Sequence, residues 1–401
     1  MAQLLLKNAS VILANGVQRG GVLIRDGRIA MVFSDQQTPA GLSANETIDL
    51  AGAYLAPGMI DIHIHGSAGV DVQATDSDGL TRLSEFLLAE GVTGYFATFV
   101  PTDDRGYREA IAAISSYIEQ QNEADRNNNT HAAARILGIH FEGPYVSEHR
   151  CGALRPERFK TYDGDVRSLE QFVGGAARIP RLMTLAPETP GGLNLTSELT
   201  RNGVRVFIGH SQADPATLDL AFEAGARHIT HFPNALDPLH HRKPGAVAWG
   251  LLRDDVTVDC IADFHHVHPM MVRLIYQSKG ADRMALISDA IMPAGLGDGE
   301  FSVWGEGITV RNGRTALARQ PGESTIAGSV ITMRQALKNA VSVGVPVHEA
   351  ARMASVVPAR VAGVESEYGS IKEGVSADLI AFDDEFTVHF AVMRGASAYN
   401  S

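Results

Sequence analysis

Three textures succeed one another along the chain. Up to residue 50 the apolar positions come in short bursts, Leu4–Leu6, Ser10–Leu13, Gly21–Arg25, Ile29–Phe33 and Thr47–Leu50, broken by turn signals such as Asp26-Gly27. Strands punctuated at intervals of roughly 8–12 residues predict an all-β unit. Such a piece encloses little apolar surface alone, and the far end repeats its texture in Ala377–Phe382 and Thr387–Met393, after the turn-rich stretch Gly369–Gly374. One discontinuous β-sandwich, built from 1–56 and 364–401, is expected.

Between the ends, over 57–363, apolar runs alternate with amphipathic segments of helical length. The runs are Gly58–Ile64, Val92–Phe99, Arg135–Glu142, Arg181–Ala186, Val204–Gly209, His228–His231, Val256–Ala262 and Arg283–Ser288. Helical segments include Asp76–Glu90, with Leu80, Leu83, Phe86 and Leu87 on one face, and Asp214–Ala224, opened by Asp214 as N-cap and Pro215 in the first turn. Eight βα repeats predict an α/β fold, a (β/α)8 TIM-like barrel whose chemistry sits at the carboxyl ends of its strands. Residues 296–326 interrupt this pattern with Phe301–Trp304, Ile308–Val310 and the turn Asn312-Gly313. They are expected either to join the sandwich or to form a small lid. The polar run Gln120–Thr130 is expected to be a solvated connector.

The polar residues that break the apolar runs fall at their ends. His63 and His65 lie two apart in the first run and so project to the same side of a strand. The third run ends in Glu142, the fifth in His210, the sixth in His231 and the eighth in Asp289, while Asp263 and His266 follow the seventh. A lone histidine at a strand end is ordinarily structural. Four histidines, a Glu and an Asp at the tops of five strands are related only through a common centre, and a divalent metal, zinc or iron(II), is the expected occupant. The set suffices for one or two ions, with His210 and His231 on one, His63 and His65 on the other, and Glu142 between them. Such a metal lowers the pKa of bound water from about 16 toward 7 and polarises a carbonyl. Hydrolysis follows, with Asp289 as the expected general base and then acid. His131, His228, His268, His348 and His389 lack a convergent setting and are read as structural or exposed.

Composition narrows the setting. With 401 residues, 45% hydrophobic and 20% charged, the chain reads as globular. A formal charge of −12 argues against a nucleic-acid or anionic-membrane surface. There is no basic segment followed by a long apolar one at the start, and no apolar run of the roughly 18 residues a membrane span needs, so a cytoplasmic enzyme is expected. Two cysteines, Cys151 and Cys260, are too few for a disulfide framework or a Cys-based zinc site.

The motifs Pro57–Gly66, His140–Tyr145, Gly209–Ser211, Thr230–Ala235, Ile261–Asp263, His266-Val267, Ser288–Ala290 and Gly328–Met333 carry a resemblance over nearly the whole chain. They resemble the amidohydrolase superfamily and, within it, the N-acetylglucosamine-6-phosphate deacetylases. The resemblance implies removal of acetate from an amino sugar phosphate using one or two metals, with Asp289 as the acid and base. It also implies that Asn234 and the Ala235 amide meet the phosphorylated end of the sugar, that His266 meets the sugar or phosphate, and that Arg242 reaches the phosphate in a neighbouring subunit, making a homodimer. The loop Leu239–Gly245, with His240, His241, Arg242 and Lys243, is a basic cluster in an acidic chain and suits a dianionic phosphate.

One position departs from that pattern. Where the family usually carries a His or Gln that polarises the scissile carbonyl, this chain has Leu154, which donates no hydrogen bond. Loss of such a donor typically costs on the order of a hundredfold in rate. Either the metals carry that duty, His149 or Arg155 replaces it, or the substrate differs, N-acetylgalactosamine 6-phosphate being one option. A dihydroorotase-like amidase would bridge its metals with a carboxylated Lys, yet Lys160, Lys243, Lys279 and Lys338 all fall in expected loops or helices. A purine deaminase leaves the basic loop unexplained, and an inactive scaffold predicts eroded ligands, of which there are none.

Overall fold

A computed structural model describes residues 3–37, 44–127, 132–173, 179–317 and 325–400. Its centre is an eight-stranded parallel sheet in sequential order, Met59–Ile64, Val92–Phe99, Arg135–Glu142, Arg181–Leu185, Arg205–Ile208, His228–Ile229, Thr257–Ile261 and Met284–Ile287. The sheet closes because the first and last strands meet: Asp289 N donates to His63 O at 2.9 Å and His65 N to Ala290 O at 2.8 Å. The expected barrel is therefore present, with strand ends within three residues of those expected.

Helices pack outside it. Ser77–Ala89 begins at Asp76, whose carboxylate accepts from Gly79 N, and buries Leu80, Leu83, Leu87 and Leu88. Asp214 caps Pro215–Ala224 in the same way, accepting from Thr217 N. The helix Asp104–Arg126 runs through most of the polar stretch expected to be a connector. Its buried positions end at Tyr117, so the last turns carry no apolar stripe and read in sequence as loop. Residues 128–131, including His131, lie outside the described residues.

A second sheet is assembled from both ends of the chain, in the order Ala396–Asn400, Val388–Met393, Leu379–Phe382, Tyr54–Pro57, Gln3–Leu13, Gly16–Arg25, Arg28–Ser34, with Glu46–Asp49 pairing alongside Gln3–Leu13. The first two expected strands are one, Gln3–Leu13, whose register with Gly16–Arg25 slips between Leu6 and Ala9. At that bulge Asn8 takes a left-handed φ of 55°. Below it the strand pairs with Glu46–Asp49, above it with Tyr54–Pro57, so one strand has two successive partners on the same edge. Tyr54–Pro57, which was not expected, also pairs with Leu379–Phe382 and joins the two ends of the chain. Leu6, Val11, Ile24, Leu55, Leu379 and Val392 form the core of this sandwich.

The insertion after the eighth barrel strand folds as a separate antiparallel sheet, Gly299–Val303, Glu306–Arg311 and Arg314–Leu317, around Ile291, Val303, Ile308 and Val310. Among the described residues it pairs with no strand of the terminal sheet. Its tight turn carries Trp304 to the mouth of the barrel. No helix among the described residues is long and apolar enough to cross a membrane.

Candidate metal centre

The first barrel strand presents His63 and His65 through an interruption of its own ladder. Its register with Val92–Phe99 slips between Asp61 and Ile64. Side chains take over the freed backbone groups: Asp61 Oδ1 accepts from His63 N at 3.2 Å, Thr98 Oγ1 from Ile64 N at 2.9 Å, and the Nδ1–H of His140 donates to Ile62 O at 2.9 Å. These bonds stand in for the interrupted ladder and fix the two imidazoles where strand pairing lapses. Asp61 also accepts from Ser288 Oγ and, at 3.3 Å, from Ser288 N, tying strand one to the residue before Asp289. Burial pushes the Asp61 carboxyl up to about 7 against these hydrogen bonds.

All six expected ligands meet. The Nε2 atoms of His63 and His65 are 3.2 Å apart, and those of His210 and His231 3.1 Å. Glu142 stands between the pairs, with Oε1 at 3.0 Å from His210 and 3.1 Å from His231, and Oε2 at 3.4 Å from His65. Asp289 Oδ1 lies 3.4 Å from His63 Nε2 and 3.2 Å from His65 Nε2. Two clusters of potential ligand atoms result, His63–His65–Glu142 and Glu142–His210–His231, sharing the glutamate.

The donor chemistry fits a cation. His65 Nδ1 faces Thr98 O at 3.1 Å and His210 Nδ1 faces Arg150 O at 2.7 Å. A carbonyl only accepts, so both Nδ1 atoms carry the proton, and in the neutral imidazoles both Nε2 atoms turn lone pairs toward the Glu142 carboxylate. Lone pair against carboxylate is repulsive unless positive charge is shared between them. Among protein groups alone, burial opposes charge on His65, but hydrogen bonds that the protonated imidazole donates to Asp289 and Glu142 overcome it and hold His65 up at about 10. His231 is held at about 9 against burial by the hydrogen bond and charge of Glu142. Burial dominates at His63 and drives it well below the ordinary histidine value.

The centre opens into a cavity of about 290 Å3. Asn234, Ala235, His266 and Leu154 line it. Asn234 Nδ2 donates to His231 O at 3.0 Å, and His266 Nδ1 is held at 2.7 Å by Asp263 Oδ2. Arg242 is not brought to this cavity. It is exposed, with Nη1 2.8 Å from His241 Nε2. Of the two groups considered as substitutes at Leu154, His149 is exposed and Arg155 is engaged by Trp304 O and Glu306, so neither lines the cavity.

Trp304, whose ring centroid is 5.1 Å from that of His65, was missed. Its place depends on how an insertion folds back, which periodicity does not carry. Asp61 and His140 were also passed over, though each is a polar residue two positions before a ligand on a buried strand and so faces the same way. His228, read as structural, is buried with Nε2 2.8 Å from Asp259 Oδ2, whose other oxygen accepts from His231 N. His268 accepts from Met270 N at the start of the helix Pro269–Lys279.

A closed parallel barrel with imidazoles and carboxylates converging at one mouth is the layout of a metal-dependent barrel hydrolase. The chain belongs to the amidohydrolase family, whose model matches residues 54–398. It is similar to the N-acetylglucosamine-6-phosphate deacetylase of Bacillus subtilis, 32% identical over 401 residues covering 99% of this chain and 98% of that one. It is 34% identical over 376 residues, 94% of this chain and 93% of the other, to the N-acetylgalactosamine-6-phosphate deacetylase of Escherichia coli O157:H7. Among solved structures, the N-acetylglucosamine-6-phosphate deacetylase of Pasteurella multocida superposes with a TM-score of 0.88 at 30% identity, covering 99% of this chain and all of that one.

Proposed function

We propose that this chain hydrolyses the N-acetyl amide of N-acetyl-D-glucosamine 6-phosphate, giving D-glucosamine 6-phosphate and acetate. The observation that carries the reading is the meeting of both histidine pairs on Glu142, in a chain similar over its full length to amino sugar phosphate deacetylases. His63, His65, Glu142, His210, His231 and Asp289 would hold one or two divalent ions, zinc or iron(II) by the imidazole and carboxylate character of the set. Such an ion supplies Lewis acidity toward the amide oxygen and toward water.

Asp289 takes the proton of the attacking water and returns it to the departing nitrogen as the carbon–nitrogen bond breaks. Asn234, Ala235 and His266 orient the sugar phosphate from the side of strands six and seven. Arg242, exposed in its own subunit, reaches the phosphate in the second subunit of a homodimer. The setting is cytoplasmic, where sugar phosphates are found. A second reading, the galactosamine epimer as substrate, is consistent with the 34% identity to a deacetylase of that name, while the run of glucosamine deacetylases among the relatives supports the first. Acetate release from both N-acetylhexosamine 6-phosphates and from the free sugars tests the reading. Turnover confined to the phosphorylated sugars is expected, and equal turnover of free sugars removes the role given to Arg242.

A further inference from the structure

The walls of the metal cavity differ in chemistry. Next to His231 the wall is polar, with Asn234 and His266, whereas next to His65 stands Trp304, which continues into an apolar wall with Leu154 and Ala153. With the scissile carbonyl at the metal ligands and the sugar phosphate on the polar side, the acyl substituent faces the apolar wall. Behind that wall lies a second cavity of about 330 Å3, and the residues common to both are Leu154, Ala153 and Trp304.

The partition is not equally rigid throughout. Trp304 donates to Asp71, and its carbonyl accepts from Arg155. The Leu154 side chain is held by apolar packing, with Val100 and Val146, while its backbone N–H donates to Cys151 O at 2.9 Å. It contributes no hydrogen bond to the reaction and offers methyl surface instead. Resting on the deacetylase reading above, we propose that Leu154 sets the length of the acyl group accepted, by closing the acyl side of the site against a cavity that would otherwise admit a longer chain.

The experiment compares N-acetyl, N-propanoyl and N-butanoyl glucosamine 6-phosphate on the wild type, Leu154→Ala and Leu154→Met, measuring kcat/KM and, independently of turnover, ligand dissociation constants. A closed apolar wall rejects an added methylene by roughly tenfold or more, so the wild type should favour acetyl over butanoyl by about that factor or beyond. Leu154→Ala should bring the two within about threefold, while Leu154→Met should keep the wild-type order. Adding Thr102→Phe, which fills the second cavity, to Leu154→Ala should restore the preference for acetyl. An unchanged acetyl-to-butanoyl ratio in Leu154→Ala, in both kinetics and binding, overturns the inference while leaving the deacetylase reading intact. Failure of the wild type to bind or deacylate any of the three overturns both.

Discussion

At three of the proposed metal-ligand positions the backbone itself departs from the strand that precedes it. His210, His231 and Asp289 have φ values of 48°, 33° and 49°, a left-handed conformation that costs a residue with a Cβ on the order of 1 kcal/mol or more. Each lies just past a barrel strand, and the reversal turns a side chain that would continue outward back over the mouth. Surrounding hydrogen bonds hold the strained residues: Asp289 N to His63 O, Ser329 N to Asp289 O, and His231 N to Asp259. Asp289 is the clearest place to separate chemistry from assembly. Replacing it with Asn keeps the shape and removes the proton acceptor, so kcat should fall on the order of a thousandfold while the circular dichroism spectrum and melting temperature stay near wild type. A loss of less than tenfold would move the proton transfer to another group.

The secondary elements show which parts of this arrangement a sequence displays and which it conceals. His63, Glu142, His210, His231 and Asp289 were legible because each is a polar break at the end of an apolar run, and strand ends on a barrel share a face. The support beneath them was not. That Asp61, Thr98 and His140 substitute for ladder hydrogen bonds depends on a register slip, and alternation of side chains is the same with or without the slip. Trp304 was hidden for a related reason, since its position comes from the path of an insertion rather than from any period. The terminal sheet was legible as strands but not as pairings: Tyr54–Pro57 joins the two ends although it follows a turn and reads as part of the approach to the barrel.

Helix contacts likewise hide a charge. Lys279, at the end of the helix Pro269–Lys279, is buried and donates to Gly250 O at 2.7 Å and Arg253 O at 2.5 Å, capping the preceding helix Gly245–Leu252. Burial, with the nearby Arg283 charge, lowers its pKa from 10.5 to about 8. The folded chain therefore releases this proton before the unfolded chain does, and between about pH 8 and 10.5 the unfolded state binds more protons. Stability must gain a rising contribution across that window. Urea titrations at pH 7.5 and 9.5 should show the wild type gaining stability relative to Lys279→Met as pH rises. A parallel response in the two proteins would show that the ammonium is not desolvated.

For the whole molecule, the open question is whether one barrel contains a complete site. The proposed metal ligands and the polar wall come from a single chain, but the basic loop that suits a phosphate does not line its own cavity, and Arg242 stands exposed outside it. An acidic chain with a formal charge of −12 repels a sugar phosphate at long range, and a guanidinium at the site would offset that repulsion by charge-assisted hydrogen bonds to the dianion. If the second copy supplies it, two inactive variants should complement. Arg242→Ala retains Asp289 but gives its partner no guanidinium, and Asp289→Asn gives the guanidinium but has no proton acceptor. In a mixed dimer the Arg242→Ala subunit regains a full site. Random pairing after co-expression makes half of the dimers mixed, so roughly a quarter of wild-type activity should return although each variant alone is nearly inert. Were Arg242 to act within its own subunit, no pairing would place it beside an intact Asp289 in the mixed dimer, and activity would stay at the level of the separate variants.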